Sequence, residues 1–367
     1  MNIVCEKSVL ANYISIVMKA VSSKTTLPIL ECILLTANDD GFFLTGTDLE
    51  IGIQTKPMPA TIRQEGKIAI EAKFFNDVIR RLEGDMVTIV SESPEIVIIR
   101  CGTSEFKIMA MDSEEFPNLP EVEKTKKMQI EQVALKNMIR QTIFSVAQEG
   151  GRPVLLGELF EIKNDSLELV AIDGSRISYR KETLEQNTIE DKVIVPGKTL
   201  QELMKVLSQE ENELVDIYVT DKHILFDIGT AVVVSLLIAG EYIAYSRSFF
   251  TEFQTQVIID KIAFIQALER ASLVAREVKK TPVIINIKMD LMEISGKSEM
   301  GTAFEEIFCE VEGSELTIGF NPKFLIDALR AIDDETVKIY FVAQLDPCII
   351  VPTFGDSYKY LVLPLRL

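Results

Sequence analysis

Three stretches decide the fold: KIAIEAKFFNDVIRRL at 67–82, KVIVPGKTLQELMKVL at 192–207 and ELTIGFNPKFLIDALRAI at 315–332. Each opens with a short β-rich run, passes a turn residue, and continues through a lysine into apolar residues at helical spacing. Those residues are Phe74, Val78 and Leu82 in the first copy, Leu200, Leu203 and Leu207 in the second, and Leu325, Ala328 and Leu329 in the third. Aligned on Lys73, Lys198 and Lys323, the copies recur every 125 residues. That period is the size of a domain and too long for a solenoid unit.

Working outward, another helix opens each copy, expected over 8–20, 131–147 and 260–276. Between the two helices lie β-rich runs joined by polar turns, as in FEIKNDSLELVAIDGSRISYRK at 160–181, and further strands follow the second helix. The acidic, proline-bearing stretch EEFPNLPEVEKTKK at 114–127 and the stretch AYSRSFFTEFQTQ at 244–256 read as connectors. The expected domains are therefore 1–120, 128–245 and 246–367. The fold class is α+β, each domain carrying two helices on one side of antiparallel sheets. Open strand edges at the ends of such domains invite head-to-tail pairing, and pairing that continues between subunits closes a ring.

Composition narrows the function. The chain has 367 residues, 47% hydrophobic and 26% charged, which supports packed cores and excludes bulk disorder. No secretory signal is expected at MNIVCEKSVLANY, and no window of about 18 uncharged apolar residues suggests a membrane span. Five dispersed cysteines, none in a C-x-x-C pair, read as reduced core thiols and a cytoplasmic setting. The formal charge of −18 opposes nucleic-acid binding unless the charge is laid out unevenly.

Catalysis finds little support. The only histidine, His223, sits in TDKHILFDI, which reads as a hairpin. No GxSxG, Walker A or strand-linked GxGxxG motif is present. Adjacent glutamates such as Glu114–Glu115, Glu210–Glu211 and Glu305–Glu306 would point to opposite faces of a strand and make poor chelates. No catalytic residue, metal ligand or cofactor is expected.

Several segments, in order along the whole chain, carry a family resemblance: TTLPIL at 25–30, TGTDLE at 45–50, EFPNLP at 115–120, VAIDGSRIS at 170–178, VIVP at 193–196, LQELMKVL at 200–207, IGFNPKFLIDAL at 318–329 and the terminal YLVLPLRL at 360–367. Together they resemble the bacterial DNA sliding clamps, the β subunits of DNA polymerase III. The resemblance implies a head-to-tail homodimer whose six domains close around duplex DNA, helices inward and sheets outward. It also implies tethering of the replicative polymerase, placement by an ATP-driven clamp loader, and no chemistry of its own. The alternative is a repeat-built scaffold that binds only proteins.

Under that resemblance two sets of residues are expected to act. Lys73, Arg80, Arg81, Lys136, Arg140, Lys198, Lys205, Arg276, Lys279 and Lys323, on or beside the helices, would face the DNA, with Lys24 and Arg152 in neighbouring loops. Long cationic side chains attract the phosphate backbone without reading sequence, which suits sliding. The family's hydrophobic cleft for short linear peptides maps onto Leu155, Ile172, Gly174, Ser175, Arg176, Ile177, Ile243, Arg247, Pro347, Leu361, Leu363, Pro364, Leu365 and Arg366. Two departures stand out: Ser175 where relatives often have His, and Tyr242-Ile243-Ala244-Tyr245 where many read F-P-D-Y.

Overall fold

The structure is a computed structural model that describes residues 1–22, 25–184, 186–275 and 282–367. It contains six α-helices among the described residues: α1 Lys7–Val17, α2 Ala72–Arg81, α3 Gln132–Thr142, α4 Gly197–Val206, α5 Lys261–Ser272 and α6 Pro322–Ala331. They occur in pairs, one pair per expected repeat. The leading helix of each pair follows directly on a strand: Asn2–Glu6, Lys127–Glu131 and Thr255–Asp260.

Each leading helix is shorter than the periodicity suggests, and a 3-10 turn completes it: Met18–Ala20, Ile143–Ser145 and Leu273–Ala275. In α3 the reason is visible. The Thr142 hydroxyl lies 2.8 Å from Met138 O and 3.3 Å from Ile139 O, and so competes for the Ile139 carbonyl that would continue the α-helix to Ile143 N. In α1, Leu10, Ile14 and Val17 are buried at helical spacing, each worth about 1.5–3 kcal/mol relative to exposure. Side chains fix three helix starts: Glu71 accepts from Lys73 N and Phe74 N, Asp260 from Ala263 N, and Asn321 from Lys323 N. Pro322 at the first position of α6 forfeits a donor that would be unpaired there anyway.

The chain forms two compact units, 1–135 with 185–189 and 198–237, and 136–184 with 190–197 and 238–367. Neither coincides with a repeat, because sheets run across the repeat boundaries. In the first unit a nine-stranded antiparallel sheet joins Ala231–Leu236 to Ile51–Thr55, with Val233 opposite Ile53. In the second, another nine-stranded sheet joins Arg176–Thr183 to Tyr358–Val362, with Ser178 opposite Tyr360. Half of the central repeat therefore packs with the first repeat and half with the third.

Each unit also holds a smaller sheet. The five-stranded one in the first unit ends on Ser104–Met109, and the four-stranded one in the second ends on Gly301–Phe308. Among the described residues both end strands have one unpaired edge, and both carry exposed apolar side chains. Phe106 and Met109 are 38% and 73% exposed, and Phe304 and Phe308 are 59% and 87% exposed. Cys5, Cys32, Cys101 and Cys348 are free and buried, and Cys309 is half-buried. No helix among the described residues is long and apolar enough to cross a membrane.

One core group titrates near neutrality. Glu158, on the strand Gly157–Lys163, is fully buried, and burial raises its carboxyl to about 8. The protonated acid can donate to the Thr142 hydroxyl at 3.0 Å, which passes its own hydrogen to Met138 O. Its other oxygen has no hydrogen-bond partner among the described residues. Between the ordinary value of 4.5 and about 8 the folded chain holds a proton that the unfolded chain has released. Stability from this group is therefore complete below the lower value and is lost as pH rises through the upper one, by about 1.4 kcal/mol per pH unit inside the window. Denaturant titrations at pH 6 and pH 8 should show Glu158→Gln gaining stability relative to the unaltered chain as pH rises. Parallel pH profiles for the two proteins would contradict this assignment.

Candidate functional site

The helices carry the charge asymmetry that the whole-chain value conceals. The six of them hold twelve Lys and Arg residues but only four acids, Asp77, Glu202, Glu269 and Asp327, in a chain of net charge −18. The positive excess is thus local to the helices, and the strands and loops hold the negative excess.

Geometry divides the expected DNA-facing residues into two classes. Lys73, Arg80 and Arg81 on α2 are exposed and make no ion pair among the described residues, and Arg152 is exposed before Pro153. Arg140, Lys198, Lys205 and Lys323 are engaged. Arg140 holds both oxygens of Asp333 at 2.8 and 2.9 Å and also Ala331 O. Lys198 pairs with Asp48 and lies 3.8 Å from Glu50, while Lys205 pairs with Glu202 at 2.7 Å and Lys323 with Asp327. The Asp48 hydrogen bond raises the Lys198 ammonium above its ordinary value, so that amine stays charged. Lys136 lies half-buried on α3. Lys24, Arg276 and Lys279 fall outside the described residues.

The expected cleft residues converge more tightly. Ile172, Gly174, Arg176, Ile177, Ile243, Pro347, Leu361 and Leu363 line one cavity of about 340 Å³, together with Ser248, which sequence reading did not single out. Apolar walls with few polar groups are the usual make-up of a ligand pocket. The turn that enters this cavity is built by Asp173. Its carboxylate accepts from Ser175 N and Arg176 N and also holds the Arg176 Nε at 2.8 Å. Gly174 takes φ +92°, a conformation that strains any other residue. The Ser175 carbonyl accepts from Leu363 N at 2.9 Å, docking the C-terminal strand beside the turn.

Arg176 does not reach freely into the cavity. It is buried, with Nη1 2.8 Å from Asp327 Oδ2 and Nη2 donating to Phe144 O. Its guanidinium lies over the rings of Phe144 and Phe324, 5.2 and 4.6 Å from their centroids. Each of its three nitrogens donates to a protein acceptor, so its part in the cavity is as wall and not as a free cation. Arg247, in the 3-10 turn Tyr245–Ser248, is exposed and remains available.

The rest of the expected cleft lies at its margins. Leu155 packs against the apolar cluster that contains Ile172 and Ile177. Leu365 N donates to Gly319 O at 2.8 Å, so the tail Pro364–Arg366 turns toward the strand Leu316–Phe320 instead of lining the cavity. A Cβ on Gly319 would come within 2.5 Å of Leu367 Cδ2, which is why the tail lies so close there.

The connector that carries Ile243 is pinned on both sides. The Tyr242 hydroxyl donates to Val170 O at 3.2 Å and the Tyr245 hydroxyl to Glu161 Oε2 at 2.7 Å. Burial pushes Glu161 up, but hydrogen bonds from Tyr245 and Lys192 outweigh it and hold the carboxyl below its ordinary range. A second, more polar cavity of about 830 Å³ shares Ile243 and is lined by Glu161, Glu168, Lys163 and Lys192. These charges neutralise one another, Lys163 lying 2.8 Å from Glu168 and Lys192 2.9 Å from Glu161. Among the described residues no group of three or more His, Cys, Asp or Glu side chains is arranged to hold a metal ion.

Comparison with known proteins agrees along the whole chain. Family models for the N-terminal, central and C-terminal domains of the DNA polymerase III beta subunit match residues 1–120, 129–243 and 247–366. The beta sliding clamp of Bacillus subtilis strain 168 is 35% identical over 379 residues, covering all of both chains. That of Staphylococcus aureus strain Mu50 is 36% identical over 359 residues, covering 95% of each. A crystal structure of a putative DNA polymerase III beta subunit from Eubacterium rectale superposes with a TM-score of 0.97 at 39% identity, covering all of both chains. That of the DNA polymerase sliding clamp from Bacillus subtilis superposes with a TM-score of 0.96 at 35% identity, over 100% of this chain and 99% of the other. With three clamp domains matched in order and the fold shared from end to end, this chain belongs to the DNA polymerase III beta subunit family.

Proposed function

We propose that the chain is a DNA sliding clamp: a non-catalytic processivity factor that encircles duplex DNA as a head-to-tail homodimer and tethers the replicative polymerase. The observation that carries this reading is the charge layout, twelve basic against four acidic residues on helices of a chain whose net charge is −18. Such a surface attracts phosphate along any sequence and reads none. Lys73, Arg80, Arg81 and Arg152 are the direct phosphate contacts in this reading, and the paired cations engage DNA more weakly because each must first leave a carboxylate.

Two further features support the reading. The open edges of Ser104–Met109 and Gly301–Phe308, each studded with exposed apolar side chains, are a liability in a monomer. Pairing one edge with the other in a second copy covers both and closes a two-chain ring. The 340 Å³ apolar cavity suits one or two large apolar side chains of a linear peptide from the polymerase, the clamp loader or other partners. Tethering by such a peptide raises the polymerase's effective concentration at the primer end, which accounts for processivity without chemistry. The protein then works in the cytoplasm, on the nucleoid.

Primer extension on a singly primed circular template tests the function. With the cognate polymerase and clamp loader, adding this chain should lengthen the product made per polymerase binding event at least tenfold. Equal product lengths with and without it would rule out a processivity role.

A further inference from the structure

We propose that Asp327, on α6, is a positioning residue for the peptide cavity, acting through Arg176 without touching the peptide. The proposal rests on the reading of that cavity as the partner-peptide cleft. Arg176 forms part of the cavity wall, yet much of what orients it comes from other elements. Asp173 fixes Nε from the turn itself, Phe144 O takes Nη2, and α6 supplies both Asp327 and the Phe324 ring. Asp327 is 151 residues away in sequence and is absent from the cavity lining.

The arrangement makes Asp327 the group that sets how Arg176 lies. Asp173 and the Phe144 carbonyl grip Nε and Nη2, and Nη1 is left to Asp327 Oδ2 alone at 2.8 Å. An arginine buried to this degree, 8% exposed, has little water to replace a lost acceptor. Without the Asp327 carboxylate its best response is to turn Nη1 toward the nearest solvent or acceptor. That swings the guanidinium off the Phe324 ring and moves the wall on which Ile172 and Ile177 border it. The same oxygen, Asp327 Oδ2, also receives the Lys323 ammonium of the first turn of α6. One carboxylate oxygen therefore joins a cation of the cavity wall to an exposed cation of a helix in the same unit.

The test measures binding of a fluorescein-labelled clamp-binding peptide from the cognate replicative polymerase by fluorescence polarisation. Asp327→Asn should weaken binding roughly tenfold, and Asp327→Glu should recover it to within about threefold of the unaltered chain. Thermal midpoint and solution mass, read in parallel, should show an intact fold and assembly. In a double-mutant cycle the Asp327→Asn effect should disappear once Arg176 is replaced by Met, because the path through Arg176 is gone. Leu363→Ala separates the two levels of the argument. If it weakens the peptide while Asp327→Asn changes affinity less than twofold, the cleft reading stands and the positioning role is overturned. If Asp327→Asn loses the same factor with or without Arg176, the effect is general to α6 and the proposal is again overturned. If neither substitution alters binding, the cleft reading and the proposal that rests on it both fall.

Discussion

Replacing Phe304 and Phe308 by Asp will halve the mass of the protein in solution, from about twice the 41.2 kDa chain mass to the chain mass itself. Among the described residues the strand Gly301–Phe308 pairs on one side only, with Leu291–Ser298, and leaves Phe308 87% exposed and Phe304 59% exposed. Exposed aromatics on an open edge are stable in solution only when something covers them. In the proposed assembly the cover is Ser104–Met109 of a second copy, which brings its own Phe106 and Met109. Two new carboxylates per edge would meet that surface unpaired, at several kcal/mol for each of the two interfaces of a ring, enough to dissociate it at micromolar concentration. The monomer should keep its fold, since both side chains already face outward. Sedimentation that still shows the double mass would place the subunit contact elsewhere.

The second large effect concerns the cavity proposed to take the partner peptide. Leu363→Ala combined with Ile243→Ala should weaken a polymerase-derived clamp-binding peptide by about 10- to 100-fold. Two apolar walls are lost, and truncation at the centre of a small apolar contact is worth about 1–3 kcal/mol. Leu363 is 42% exposed, so its removal leaves the core intact. Leu365→Ala, by contrast, should change affinity less than about threefold, because Leu365 is held by its backbone to Gly319 and lies outside the cavity lining. Equal effects from Leu363 and Leu365, read by isothermal titration, would mean that the tail leaves Gly319 when a peptide arrives.

The contrast between Leu363 and Leu365 shows what a sequence can and cannot carry. The repeat at 125-residue intervals was legible because helical spacing is a local property, and Lys73, Lys198 and Lys323 do occupy equivalent first turns of α2, α4 and α6. The turn Asp173–Arg176 was legible as a motif. What Arg176 does was not, since Asp327 lies 151 residues on. Arg140 and Lys198 looked like free cations for the same reason: their partners, Asp333 and Asp48, are 193 and 150 residues away. The two compact units were not legible, because strand pairing across repeats, such as Val233 with Ile53, leaves no local trace.

The same residues explain how an acidic protein can hold DNA loosely. In the proposed reading the exposed cations on α2 offer contacts without base recognition, and a surplus of acid elsewhere discourages tight non-specific binding. Retention then has to come from topology. The most direct measurement places the assembled protein on nicked circular DNA with its clamp loader, removes the loader, and follows DNA-bound protein by gel filtration before and after a single-site restriction cut. Encirclement predicts stable retention on the circle and loss within minutes of linearisation. Retention that is the same on circle and line would contradict it.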